Sequence, residues 1–202
     1  LDKSIEAYHK AIEINPNDSD VYNNLGNTLQ GQGELDKSIE AYHKAIEINP
    51  NDARIYYNLG AAQKKQGKLD NAIQTYQQAI EINPDDAEIY NSLGTTLQKQ
   101  EKLDQAIQVY HRALEINPNY SEAFYNLGLA LQEQGELDQA IQAYHRALEI
   151  NPNYSEAYNN LGNVLKEQGK LDDAVLAYRS ALGINPDYSE AHNNLGLVLL
   201  LQ

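Results

Sequence analysis

Four histidines stand at a spacing that suits a metal. His9, His43, His111 and His145 each precede a glutamate by four residues: Glu13, Glu47, Glu115 and Glu149. An i, i+4 spacing puts an imidazole and a carboxylate on one helix face, where both can ligate an ion. The pairs come one to a helix, however, and even adjacent helix axes lie about 8–10 Å apart. Four such histidines cannot converge on one ion, so the spacing predicts surface pairing and no metal site. The chain has no cysteine, and no phosphate-binding glycine loop, HExxH or GxSxG elbow occurs in it. The expectation is no catalytic residue and no cofactor.

The second candidate chemistry is that of carboxamides. Asn24, Asn58, Asn126, Asn160 and Asn194 share a 34-residue lattice, with Ser92 in the remaining place. The preceding position reads Asn23, Tyr57, Asn91, Tyr125, Asn159 and Asn193, and "YNNLGN" occurs at both 22–27 and 158–163. A carboxamide offers a donor and an acceptor, so a ladder of them can pair with the main chain of an extended peptide without reading its side chains. Tyr57 and Tyr125 add flat apolar surface with a polar tip. Amides on a helix also cap or bridge neighbouring helices, or stand in solvent, and spacing alone leaves those roles open.

The elements that position these residues follow from the same lattice. All six prolines, Pro16, Pro50, Pro84, Pro118, Pro152 and Pro186, are 34 residues apart. Gly26, Gly60, Gly94, Gly128, Gly162 and Gly196 keep the period, as do Tyr8, Tyr42, Tyr76, Tyr110, Tyr144 and Tyr178. A period this strict marks stacked repeats, not one globular core. Within 19–52, Tyr22, Leu25, Gly26 and Leu29 trace one amphipathic helix, A, and Gly33 supplies a left-handed stop. Ser38, Ile39, Tyr42, Ala45 and Ile46 trace a second, B, with Asp36 read as its N-cap; Asp2, Asp70, Asp104, Asp138 and Asp172 recur there. Asn49-Pro50 closes helix B, because proline disfavours the α conformation in the residue before it. Gly26 and Ala45 are small where the helices must approach. The predicted organisation is a half repeat at 1–18, complete repeats at 19–52, 53–86, 87–120, 121–154 and 155–188, and a half repeat at 189–202. The class is an all-α solenoid.

The unit resembles the tetratricopeptide repeat (TPR): Tyr158, Leu161, Gly162, Leu165, Ala174, Tyr178, Ala181 and Pro186 fall at that family's offsets. Gln63, Glu101 and Gly183 depart from it. Glu101 in a left-handed turn costs about 1–2 kcal/mol, unless its turn differs, which makes the repeat at 87–120 the expected soft spot. The resemblance implies a right-handed superhelix of antiparallel helix pairs, with A helices lining a concave groove. The asparagine ladder is similar to the track in the TPR superhelix of O-linked N-acetylglucosamine transferases. Chaperone-binding TPRs grip a carboxylate with Lys and Arg; the matching places here hold Asn23 with Asn27, Tyr57 with Ala61, and Glu88 with Ser92, so the cations are missing.

Charge and the ends complete the reading. Fifteen Lys and Arg against 29 Asp and Glu give a net charge of −14, which argues against nucleic acid and anionic membranes as partners. Asp20, Arg54, Glu88, Glu122, Glu156 and Glu190, five acids and one base, form a mostly acidic row at the start of the A helices. Such a row favours neutral or basic protein segments, although the helix dipole alone also favours acids there. Absent cysteine fits a reducing, cytoplasmic setting. Helix B at 1–15 and helix A at 189–202 each lack an in-repeat partner. Leu200 and Leu201 stand where other repeats carry polar residues. Either further chain covers these faces, or copies associate head to tail. The expected function is non-catalytic recognition of an extended polypeptide; a substrate-selecting arm of a larger enzyme and a self-assembling structural module are the alternatives.

Overall fold

The computed structural model describes residues 3–201. Those residues form twelve α-helices and no strand. They divide into two compact units, 1–101 and 102–202. In the first, α1 (Lys3–Ile14) rests on the hairpin of α2 (Ser19–Gly31) and α3 (Leu35–Ile48). The hairpin of α4 (Ala53–Lys65) and α5 (Leu69–Ile82) follows, and α6 (Ala87–Lys99) packs on α5. The second unit repeats the plan: α7 (Leu103–Ile116) rests on α8 (Ser121–Gln134), which pairs with α9 (Leu137–Ile150). There α10 (Ser155–Glu167) pairs with α11 (Leu171–Ile184), and α12 (Ser189–Leu199) packs on α11. Even-numbered helices are the A type. Within each unit successive A helices also touch one another, which sets their exposed residues in a row.

The helical glycine is explained by one contact. A Cβ on Gly26 would lie 2.5 Å from Cε1 of Tyr42, and Gly128 and Gly162 meet Tyr144 and Tyr178 at 2.7 and 2.6 Å. Only a bare Cα lets the ring lie across helix A. Tyr42, Tyr144 and Tyr178 are fully buried there. The Tyr42 hydroxyl reaches the helix surface, 2.7 Å from Asn27 Oδ1 and 2.9 Å from Gln30 Oε1, and donates to one of them. Ser38 closes the same seam by donating to the Gly26 carbonyl at 2.9 Å. Glycine costs roughly 1 kcal/mol in helix propensity, and burying an aromatic ring returns more than that.

Helix A ends as its glycine predicts. Gly33 has φ 80°, and Glu34 N–H bonds the Leu29 carbonyl at 2.9 Å while Gly33 N–H bonds that of Gln30 at 3.2 Å. These two bonds make a Schellman stop. Glu101 adopts the same left-handed φ, 60°, and its N–H bonds the Gln98 carbonyl at 2.8 Å, so the residue bears the strain. Gln63, the other departure, is buried and paired: its Oε1 accepts the Thr75 hydroxyl at 2.8 Å.

The start of helix B corrects one expectation. Helix α3 begins at Leu35 behind Glu34, and no side chain caps it. Asp36 lies inside the first turn and accepts a bond from the side chain of Gln66, one repeat further on. Asp70–Gln100, Asp104–Gln134 and Asp138–Gln168 repeat the pairing. The recurrent aspartate therefore ties successive repeats together. It is not an N-cap. Side-chain capping occurs at A helices instead, and there the two units differ. Asp18, Asp52 and Asp86 accept amide hydrogens ahead of α2, α4 and α6, at 3.0–3.3 Å. Ahead of α8, α10 and α12 stand Tyr120, Tyr154 and Tyr188, which make no cap bond. Each substitution forgoes about 1 kcal/mol of capping.

Candidate functional site

In the first unit the exposed row of α2, α4 and α6 is built around Asn58. Its Nδ2 donates to Oδ1 of Asn23 at 2.9 Å, bridging one A helix to the next. Tyr57 packs at 6.1 Å from the buried ring of Tyr76 and donates its hydroxyl to Glu88 at 2.8 Å. Burial pushes the Tyr57 phenol up to about 12, and the Glu88 bond and charge add to the rise while Ser92 opposes it. Arg54 bridges Asp20, one repeat earlier, at 3.0 Å and Asp52 at 2.6 Å. A recess of about 380 Å³ opens between these groups, lined by Asn23, Asn24, Tyr57, Asn58 and Glu88 among others.

The second unit has the same row with different contents. Asn160 Nδ2 donates to the Tyr125 hydroxyl at 3.0 Å, and Asn194 donates to Asn159 at 3.1 Å. Asn159 in turn holds Glu190 Oε1 at 3.0 Å. The Tyr125 ring lies 4.8 Å from that of Tyr154 and 6.1 Å from that of Tyr144. Burial raises the Tyr125 phenol, and the charges of Glu156 and Glu190 add to the rise.

The predicted ladder residues thus fall into two groups. Asn23, Asn91, Asn126, Asn159 and Asn194 are buried, with Asn159 at 0 % exposure. Of these, Asn23, Asn159 and Asn194 bond to neighbouring helices, the bridging role that spacing left open. Asn24 is exposed, and Asn58, Asn160, Tyr57 and Tyr125 are half-buried. One bond to Asn23 leaves Asn58 a second amide hydrogen and its carbonyl oxygen. Sequence reasoning missed Tyr154, Tyr188 and the Arg54 bridge; the change from Asp to Tyr at one lattice place was the signal that points to the first two.

His9, His43, His111 and His145 stand on the B helices α1, α3, α7 and α9. His9 lines an apolar recess of about 420 Å³ with Ile5, Tyr22, Leu25 and Leu29, and His111 and His145 line equivalent, smaller recesses over Phe124 and Tyr158. Three of the four expected glutamate partners pair elsewhere. Glu47, Glu115 and Glu149 make i, i+3 ion pairs with Lys44, Arg112 and Arg146. Among the described residues no three His, Cys, Asp or Glu side chains gather as a metal site, and no helix is long and apolar enough to cross a membrane.

Family models decide the relationship. A TPR repeat model matches residues 1–33, 31–67, 64–101, 99–135 and 162–202, and two tetratricopeptide repeat models match 121–154 and 143–175. The chain belongs to the tetratricopeptide repeat family. Comparison with curated proteins finds no match. Among solved structures, this TPR chain is similar to YrrB, described as a TPR protein with an unusual peptide-binding site. The identity is 29%, over 94% of this chain and 97% of that one, with a TM-score of 0.73. MamA is 29% identical over 82% of this chain and 97% of its own, with a TM-score of 0.75. PilF of Pseudomonas aeruginosa shares the fold at 20% identity, 91% and 89% coverage and a TM-score of 0.77. The TPR fold is an interaction scaffold that presents helix faces to proteins or peptides.

Proposed function

We propose that this TPR chain is a non-catalytic scaffold that holds an extended, neutral to basic polypeptide along its A helices. The observation that carries this reading is the half-exposed amides of Asn58 and Asn160, each fixed from behind by a neighbouring helix. A fixed amide pays little ordering entropy when it meets a peptide main chain. Asn24, Asn58 and Asn160 make the main-chain contacts, and Tyr57 and Tyr125 supply anchoring surface. Asn23, Asn91, Asn126, Asn159 and Asn194 act behind them as braces. YrrB, with its peptide-binding site, supports a peptide ligand by similarity. The test is panning of a displayed peptide library on the wild type and on Asn24→Ala/Asn58→Ala/Asn160→Ala. Peptides retained by the first and lost by the second support the reading. A selected set that binds both equally rejects it.

A second reading rests on α12. Leu197 and Leu199 on it, and Leu200 and Leu201 after its end, are exposed, Leu200 at 84 %. Gly196 has no atom within 4 Å of a Cβ position that a tyrosine covers in four of the hairpins. We propose that α1 of a second copy seats Tyr8 on this face, giving open head-to-tail association. Sedimentation equilibrium of the 202-residue chain tests this: mass rises with concentration, and Leu200→Glu/Leu201→Glu abolishes the rise. A concentration-independent monomer rejects it.

A further inference from the structure

We propose that α8, α10 and α12 carry a site for a cationic side chain, an arginine or lysine of the bound polypeptide, formed by Tyr125, Tyr154, Tyr188, Glu156 and Glu190. The site rests on the peptide-holding reading above and adds a side-chain preference to it. Three independent observations lead here.

The first is the assembly of groups. Tyr125 and Tyr154 stand 4.8 Å apart with ring planes inclined by 35°, so they form one stacked aromatic pair. Tyr188 occupies the Tyr154 place one repeat on, and all three rings are half-buried. Glu156 is held by the Ser155 hydroxyl at 2.9 Å and Glu190 by the Asn159 amide at 3.0 Å. Both carboxylates act on the rings: burial raises the Tyr125 and Tyr188 phenols first, and the charges of Glu156 and Glu190 raise them further. Aromatic faces beside ionised carboxylates attract a desolvated cation by ring quadrupole and by charge together.

The second observation is that the row already holds a guanidinium in the first unit. Arg54 stands where Glu156 stands in the second unit, and it bonds Asp20 one repeat earlier as well as Asp52. One acid of this row, Asp20, thus bonds a guanidinium carried at the place of Glu156, with the capping Asp52 as its second partner. Among the described residues no Lys or Arg forms an ion pair with Glu156 or Glu190. A cation at that place comes from a partner.

The third is the exchange at the helix starts. The first unit keeps a capping aspartate at 18, 52 and 86, and the second replaces each with tyrosine at 120, 154 and 188 at the loss of the cap bond. A ligand-facing aromatic surface accounts for that loss.

The test uses the 202-residue chain with specifically labelled tyrosines, titrated by NMR with N-acetyl-arginine amide and with its neutral isostere, N-acetyl-citrulline amide. The arginine probe shifts the ring signals of Tyr125, Tyr154 and Tyr188 and binds at least tenfold more tightly than the citrulline probe. Tyr154→Asn supplies a neutral capping residue, so it keeps the helix without adding a carboxylate, yet it weakens the arginine probe at least fivefold. Equal affinity for the two probes, unshifted tyrosine signals, or an unaffected Tyr154→Asn protein overturns the site. A neutral peptide that still binds through Asn24, Asn58 and Asn160 in that case leaves the scaffold reading standing and removes the cation site alone.

Discussion

Nδ2 of Asn58 lies 2.9 Å from Oδ1 of Asn23, 35 residues earlier in the chain. The same bond joins Asn194 to Asn159 at 3.1 Å. One ladder of amides therefore contains two jobs: Asn23, Asn159 and Asn194 are buried braces between A helices, whereas Asn58 is half-buried and keeps polar atoms beyond its bond to Asn23.

The two jobs separate by substitution. Asn159→Ala leaves Asn194 and Glu190 without their buried partner, and loss of a buried bond costs about 1–3 kcal/mol. Asn24→Ala touches an exposed side chain and stays within about 0.5 kcal/mol of wild type. Urea denaturation followed by circular dichroism measures both. Equal effects contradict the division.

Glycine substitutions should split in the same way. Gly26→Ala drives a methyl to 2.5 Å from the Tyr42 ring, and overpacking of this kind costs about 1–3 kcal/mol. Gly196→Ala meets nothing within 4 Å and gains up to about 1 kcal/mol of helix propensity. Thermal melting of the two single variants gives shifts of opposite sign.

Glu101 is the one non-glycine residue with positive φ among the described residues. Glu101→Gly relieves about 1–2 kcal/mol of left-handed strain, partly offset by the freedom glycine gains in the unfolded chain. A net stabilisation of about 0.5–1 kcal/mol follows. A loss of stability in the same melt contradicts the strain.

Alkaline pH tests the tyrosine seam. Burial pushes the phenols of Tyr42 and Tyr178 up to about 12, with a smaller opposing bond from Ser38 at Tyr42 and an added push from Glu190 at Tyr178. An unfolded tyrosine releases its proton near 10, so above that pH the folded chain binds more protons than the unfolded one. Stability is full below about pH 10 and falls as pH rises toward 12. Absorbance at about 295 nm, where tyrosinate absorbs, reports ionisation delayed to the unfolding transition; normal titration near 10 in the folded chain contradicts burial.

The fold was legible because a 34-residue lattice repeats every cue. Prolines, tyrosines and glycines each mark one structural event, and the Gly26–Tyr42 contact is the physical reason the two residues keep step. Roles that depend on stacking were not legible. Asp36 sits at a helix start and reads as a cap, yet its partner is Gln66 in the next repeat. Asn23 and Asn24 are adjacent and chemically identical, but one is buried between helices and the other exposed, because about 100° of helix turn separates them. Likewise the His–Glu pairs share a helix face, but Lys44, Arg112 and Arg146 take the glutamates with their permanent charge.

The most direct test of the central claim is calorimetric titration of the chain with one selected neutral peptide and with the same peptide N-methylated at alternate backbone amides. N-methylation removes main-chain donors and leaves every side chain in place. If the amides of Asn24, Asn58 and Asn160 hold the main chain, methylation in the contacting register weakens binding about tenfold, on the order of 1.4 kcal/mol. The Asn24→Ala/Asn58→Ala/Asn160→Ala protein then no longer distinguishes the two peptides. Unchanged affinity in both registers would contradict the account.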